Sequence, residues 1–448
     1  MIYLYFIVLL LLLITSFIIN KKDYISPAFI FTFGFFFQGI WVLLFHKQWN
    51  LNMHLNTFLV ITLGVAEFIL VNYLVKLFMN RKNKKNEKTD VKLKVININT
   101  ILEILYFVFI IGAGAIYLYY VVNAVHGNFK SIGAIADAIS AYDSLNKFSE
   151  DIDKIPFVIN NINFAVVASG YWFMYVAINN FFAEKKVKII EILIILGTIV
   201  SSMLCGSRTP VFMMAVAGIC YYFVLYFKKL NYQNIFKKKT FIIIACVGVS
   251  FILLFAPLAK LLGREVKMGS MNYLSIYCGA EVKNLDSFLQ ENGHIFKYEL
   301  FGSQTLHSAY QTVGSKLSFI GVDEYRLDLR FRRVNGIELG NVYTTFYAFI
   351  YDFGYVGLAI LVAIMGIVCG FLYEYIMKIK NLDKIRISIL IYGVIFGCLA
   401  LSFFSDKFYE DLFSMGFVKK LIIWTLCSVV FCKINYRKIL NKIIKKKN

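Results

Sequence analysis

Six of the nine arginines in this 448-residue chain stand apart from its lysine-rich loops: Arg208, Arg264, Arg326, Arg330, Arg332 and Arg333. Lysine outnumbers arginine here, 38 to nine, so simple solubility would be served by the commoner residue. A guanidinium adds a planar, permanently charged fork that matches phosphate oxygens two at a time. The chemistry on offer is a grip on a phosphorylated ligand. Arg208 lies in Gly206-Ser207-Arg208-Thr209-Pro210, where Pro210 suits the first turn of a following helix whose free N–H groups favour an anion. The plainer alternative is an arginine that snorkels to lipid headgroups. For Arg326, Arg330, Arg332 and Arg333 the alternative is surface pairing with Asp323, Glu324 and Asp328.

A second chemical feature is the run Asn341–Tyr351, apolar but about half the length of a span, interrupted by Asp352-Phe353-Gly354-Tyr355-Val356-Gly357. A half-helix at membrane depth is tolerated where it lines a cavity. Asp352 could orient an arginine or a sugar hydroxyl, or cap the next helix. Glu67, in the middle of an apolar run, is functional by default or is neutral and hydrogen-bonded to a neighbouring helix. The five histidines lack metal-ligand spacing and no carboxylate pair is spaced for a divalent ion, so no metal and no cofactor is expected.

These residues must be positioned by a membrane bundle. The chain is 59% hydrophobic and 17% charged, with mean hydropathy +0.68. Soluble globular chains run nearer ~45–50% apolar and ~25% charged, so a soluble enzyme, a disordered chain and a secreted disulfide scaffold are excluded. The net charge of +20 forms no single basic face, because lysines alternate with apolar runs, and no nucleic-acid partner is expected. Runs near the length of about twenty residues that a bilayer requires lie at 2–19, 26–45, 57–79, 101–125, 158–182, 188–204, 210–227, 240–259, 355–376, 387–404 and 415–432. The first has no positive leading region and carries Lys21-Lys22 on its far side, so it reads as a retained span.

Charge sets the orientation. Segments 20–25, 80–99, 183–188, 228–239, 378–386 and 433–448 together hold 28 Lys and Arg, against 1 in 46–56, 3 in 126–157 and 1 in 205–209. That predicts eleven spans with the N-terminus outside and the C-terminus cytoplasmic. Segment 126–157 predicts a helix on the membrane surface, from Ile132, Ile135 and Ile139. Segment 260–342 is long enough to fold over the outer face, and loops of that length are usually functional. The expected architecture is all-α and polytopic. An N-terminal bundle of eight spans covers 1–259, a large extracytoplasmic loop 260–342, and a C-terminal bundle 343–432 with a half-helix at 343–351. A basic cytoplasmic tail over 433–448 suits a stop signal or a helix on anionic lipid.

The Gly206–Pro210 turn, the order Asn341-x-Tyr343-Thr344 into Tyr351-Asp352-Phe353-Gly354-x-x-Gly357, and Tyr277-x-Gly279 followed by Asn284-Leu285-Asp286 together resemble the oligosaccharide repeat-unit polymerases, the Wzy-type O-antigen and capsule polymerases. The resemblance covers residues 200–360 by motif and the whole chain by topology. The arginine-to-glycine spacing proposed for that family, with ten intervening residues, is replaced here by nine at Arg208/Gly218, Arg326/Gly336 and Arg330/Gly340.

The resemblance implies a metal-independent, GT-C-like membrane glycosyltransferase working at the outer face of the bacterial cytoplasmic membrane. Its partners would be undecaprenyl-diphosphate-linked oligosaccharide, membrane lipid and a chain-length regulator. On this reading Arg208 and part of the 326–333 cluster stabilise the departing diphosphate. Glu281 or His307 accepts the acceptor hydroxyl's proton, and Tyr273, Tyr277 and Tyr310 stack on sugars or pack the loop. Two rivals stand: an O-antigen ligase, which shares the donor, and a flippase or transporter, which would carry a repeated half that this chain lacks.

Overall fold

The structure, a computed structural model, describes residues 1–81, 92–148, 155–230, 257, 259–260, 262–263, 268–291, 301–317 and 329–432. Apolar runs become helices because a lipid-facing backbone must satisfy its own N–H and C=O groups. Among the described residues, eight helices are long and apolar enough to cross a membrane. They are α1 (Ile2–Ile19), α2 (Pro27–Phe45), α3 (Leu55–Arg81), α4 (Thr100–Ala124), α6 (Phe157–Glu184), α8 (Thr209–Lys229), α12 (Thr345–Lys378) and α15 (Met415–Cys432). Two shorter apolar helices, α7 (Ile189–Met203) and α13 (Ile387–Ala400), fall on the expected spans 188–204 and 387–404. The expected span 240–259 lies outside the described residues except for 257 and 259, as does the tail 433–448. The remaining helices are α5 (Ile132–Phe148), α9 (Ser270–Cys278), α10 (Ala280–Glu291), α11 (His307–Leu317) and α14 (Lys407–Leu412).

The chain divides into two compact units that interleave along the sequence. The first comprises Met1–Asp90, Ala215–Ile379 and Ile391–Phe417; the second comprises Val91–Met214, Lys380–Leu390 and Val418–Asn448.

In the first unit α12 packs along α3. Gly366 and Gly370, one helical turn apart, make this possible: a Cβ on either would sit 2.9 or 3.1 Å from Val71 or Val75 Cγ1. Small residues at this spacing let two membrane helices approach closely, and Asn72 Nδ2 donates across the contact to Gly366 O at 3.2 Å. Lysines tie one end of the unit together. Lys76 Nζ donates to Ile19 O, Lys378 Nζ to Met79 O at 2.8 Å, and Lys228 Nζ to Ile379 O at 2.8 Å. The last carbonyls of a helix lack intrahelical donors and carry the negative end of its dipole, so a cation is the natural cap. The ends joined this way, near residues 19, 79, 228 and 378, are those that charge counting assigned to one side.

At the opposite ends of these helices α9, α10, α11 and a hairpin of strands β1 (Arg332–Val334) and β2 (Ile337–Gly340) are built from the long polar segment. The stretch expected as a half-helix at 343–351 falls on the first part of α12, in which a short helix beginning at Thr345 meets the longer one at a kink at Gly354 (φ 66°, ψ −164°).

In the second unit α4, α6 and α7 pack together. Trp424 Nε1 donates to Ala168 O and Trp172 Nε1 to Ser428 Oγ, both at 2.9 Å, pinning α15 to α6. Helix α5 falls in the segment expected to form a surface helix, and one of its faces is covered by protein. Ala138, Ile139, Tyr142 and Asp143 are buried, and the 203–208 turn lies against Ile139 and Asp143. Gly206 has φ 77°, and a Cβ there would lie 2.5 Å from Asp143 Cβ and 2.8 Å from Ile139 O.

Candidate active site

The turn after α13 carries Asp406, Lys407, Glu410 and Asp411 within six residues. It begins where Thr344 N donates to Phe404 O (3.2 Å) and Thr345 N to Ser402 O (2.9 Å), joining the start of α12 to the end of α13. Thr344 holds φ 72°, a conformation that a β-branched residue adopts only under strain. Such strain persists only where the surroundings enforce it, and it concentrates at functional sites. Asp406 caps α14, accepting from Tyr409 N at 3.3 Å, and receives Thr345 Oγ1 at 3.4 Å. Burial pushes its carboxyl well above the usual carboxylate range. Four buried oxygens around this turn have no hydrogen-bond partner among the described residues: Thr344 Oγ1, Ser405 Oγ, Asp406 Oδ2 and Glu281 Oε1.

Glu281 enters from the first turn of α10 and is fully buried. Gln38 Nε2 reaches its Oε2 at 3.4 Å and also donates to Phe403 O at 2.9 Å, while Tyr5 Oη donates to Gln38 Oε1. Burial holds the Glu281 carboxyl well above the usual carboxylate range, favouring its neutral form. The neighbouring motif residues are structural. Asn284 Nδ2 donates to Val342 O at 2.8 Å. Asp286 accepts from His54 N (3.0 Å), His54 Nδ1 (3.0 Å) and Thr57 Oγ1 (2.6 Å), closing the start of α3. Tyr277 stacks on Phe404 with ring centroids 6.4 Å apart and contacts Tyr273.

His307 opens α11, and Asp352 builds the turn that presents it. The Asp352 carboxylate accepts from Gln304 N at 3.1 Å and Thr305 N at 2.7 Å, with Ser303 Oγ at 3.4 Å. Gln304 O in turn accepts His307 Nδ1–H at 3.1 Å. A carbonyl can only accept, so this bond places the proton on Nδ1 and turns Nε2 outward as the basic nitrogen. Nε2 faces Ser308 Oγ at 3.4 Å and Glu410 Oε1 at 3.8 Å. Lys407 Nζ pairs with the other oxygen of Glu410 at 2.5 Å. Burial would raise Glu410, but Lys407 and His307 outweigh it and hold the carboxyl below its usual range. Burial would likewise lower Lys407, and Glu410 reverses that.

The outer arginines separate. Arg332 is committed to the fold: its Nη1 and Nη2 meet the two oxygens of Glu291 at 2.6 and 2.9 Å, and its Nε donates to Tyr343 Oη at 3.2 Å. Arg333 pairs with Glu338 across the hairpin. Arg330 is exposed and sits 3.5 Å from Glu291 Oε2. Arg326 and Arg264 lie outside the described residues, as do Asp323, Glu324 and Asp328. Arg208 belongs to the second unit, where it is buried and its carbonyl accepts Phe212 N in the first turn of α8.

Of the residues chosen from sequence, Glu281, His307, Tyr277 and Asp352 thus converge on one end of the first unit. Sequence reasoning missed Gln38, Asp406, Lys407 and Glu410. A signal existed for the last three: Asp406, Lys407, Glu410 and Asp411 are four charges within six residues between two apolar runs.

A family model described as O-antigen polysaccharide polymerase Wzy matches residues 1–277, more than half of the chain. Searches of curated proteins and of solved structures returned no match.

Proposed function

The chain belongs to the O-antigen polysaccharide polymerase Wzy family, and from that premise we propose that it polymerises undecaprenyl-diphosphate-linked oligosaccharide repeat units at the outer face of the bacterial cytoplasmic membrane. The product is an O-antigen or capsular polysaccharide. The growing glycan is the donor. A hydroxyl at the non-reducing end of an incoming lipid-linked unit attacks the anomeric carbon of the donor sugar, and the bond from that carbon to the diphosphate oxygen breaks. The hydroxyl proton passes to a base on the enzyme, and undecaprenyl diphosphate leaves.

The observation that carries this reading beyond family membership is the group of ionisable side chains at one end of the first unit. A glycosyl transfer without a metal needs a proton acceptor near the acceptor hydroxyl, and a positioned side chain typically contributes ~10²–10⁴-fold. His307 supplies a ring nitrogen aimed away from its own backbone, with 12% of the side chain exposed. Glu281 is fully buried, which suits a neutral hydrogen-bonding acid better than a group that must reach a hydroxyl. Arg208 is assigned to the diphosphate on residue type and on its place at the start of α8. Arg330, exposed, is the second such assignment; Arg332 and Arg333 are spoken for by Glu291 and Glu338.

Deletion in the native host, followed by gel analysis of surface glycan, tests the function. Loss of a polymerase leaves single repeat units on the surface. Accumulation of lipid-linked polymer instead would identify a ligase and overturn the proposal.

A further inference from the structure

Resting on that reading, we propose that Glu410 is the positioning residue of His307, and that Lys407 holds Glu410 in place, so that the base of the transfer reaction is a histidine–carboxylate dyad assembled from two segments remote in sequence. A neutral imidazole that both holds the right tautomer and gains a charge partner on accepting a proton needs one fixed contact at each ring nitrogen. Both are present. The Gln304 carbonyl fixes the proton on Nδ1, and the Glu410 carboxylate lies 3.8 Å from Nε2, where the positive charge would form. That separation is longer than a direct hydrogen bond, so the carboxylate acts by charge, and the hydrogen-bond partner of Nε2 is the Ser308 hydroxyl at 3.4 Å, whose place an incoming hydroxyl would take.

The two contacts are themselves held. Asp352 fixes the backbone at Gln304 and Thr305, and thereby the carbonyl that orients the ring. Lys407 occupies Glu410 Oε2, so that Oε1 is the oxygen turned toward the histidine. Among the described residues, Asp406 and Asp411, both carboxylates of the same short segment, also stand beside the pair. They add no second cation that could replace Lys407. The step balances without a further reactant: the acceptor oxygen forms its bond to the anomeric carbon, its proton moves to His307 Nε2, and the electron pair of the broken bond leaves on the diphosphate.

A purely structural clamp between α11 and α14 would use the same atoms, so the test must separate the two. Membranes from a deletion strain carrying the full-length chain are supplied with lipid-linked repeat units extracted from that strain, and rates are followed against repeat-unit concentration. Glu410→Gln should lower kcat about 10²-fold with KM unchanged, and Glu410→Asp should recover most of the loss. His307→Gln should fall as far, and the double variant no further, because the two residues act as one unit. Lys407→Gln approaches the dyad from its other partner and should lower kcat without raising KM. A rise in KM with kcat intact, full activity in Glu410→Gln or His307→Gln, or losses that multiply in the double variant would overturn the dyad.

If the unaltered chain extends no repeat unit, the polymerase reading fails instead. The dyad is then decided by ¹⁵N NMR of the histidine rings in the full chain in lipid nanodiscs. Glu410→Gln must change the His307 ring-nitrogen shifts at neutral pH, and unchanged shifts overturn the proposal.

Discussion

Arg332 meets Glu291 as a two-pronged pair, with Nη1 and Nη2 at 2.6 and 2.9 Å from the two carboxylate oxygens. The guanidinium fork that invited a phosphate reading is here filled by a carboxylate of the same geometry, and the result joins the hairpin at residues 332–340 to the end of α10. Replacing Arg332 with lysine keeps the charge and loses the fork. Arg332→Lys should therefore loosen the hairpin, costing about 1 kcal/mol, a modest figure because Glu291 is 44% exposed. Faster amide exchange at residues 332–340, with the rest of the chain unaffected, checks this. Arg332 holds Glu291 below the usual carboxylate range, so the contribution is present at neutral pH and disappears as pH falls through that lowered value.

Asp352 should act through the turn it builds. In Asp352→Asn one carboxylate oxygen becomes a donor facing the amides of Gln304 and Thr305, which are donors themselves. Exchange at these two amides should accelerate and polymer yield should fall, while α12 itself stays folded. Unchanged exchange at 304 and 305 would show that the turn stands without the carboxylate.

Glu281 gives a pH signature of the opposite sign from Glu291. Burial lifts its carboxyl well above the range of the unfolded chain. Between those two values the folded protein holds a proton that the unfolded chain has released, so stability declines as pH rises through that window. Glu281→Gln mimics the protonated acid and removes the titration. Thermal unfolding in detergent from mildly acidic to neutral pH should show a falling midpoint for the unaltered protein and a flatter one for Glu281→Gln. Parallel curves would contradict the prediction.

Arg208→Lys tests the diphosphate assignment. The substitution retains the positive charge and loses bidentate contact. With membrane levels held equal, surface polymer should drop about tenfold, the loss of one strong charge-assisted contact of about 1.4 kcal/mol. Unchanged polymer yield and length would remove Arg208 from the mechanism.

Sequence by itself determined the membrane architecture, because the property that decides it is local. Twenty consecutive apolar residues must form a helix in lipid whatever else the chain does, and the runs at 2–19 and 26–45 became Ile2–Ile19 and Pro27–Phe45 almost residue for residue. Lysines at the ends of those runs were legible for the same reason, and Lys76, Lys228 and Lys378 then proved to cap neighbouring helices. The pairings between side chains were not legible, since they depend on which segments packing brings together. Gln38 and Glu281 touch across 243 residues of sequence. Nothing in the neighbourhood of His307 names Glu410, and nothing near Arg332 names Glu291. Asp352 looked like a cap for its own helix, yet its oxygens close the turn at 303–305. A charge declares its sign in the sequence, but its partner is chosen by burial: removing a group from water leaves it no other source of hydrogen bonds, and the tertiary fold decides which groups are left to supply them.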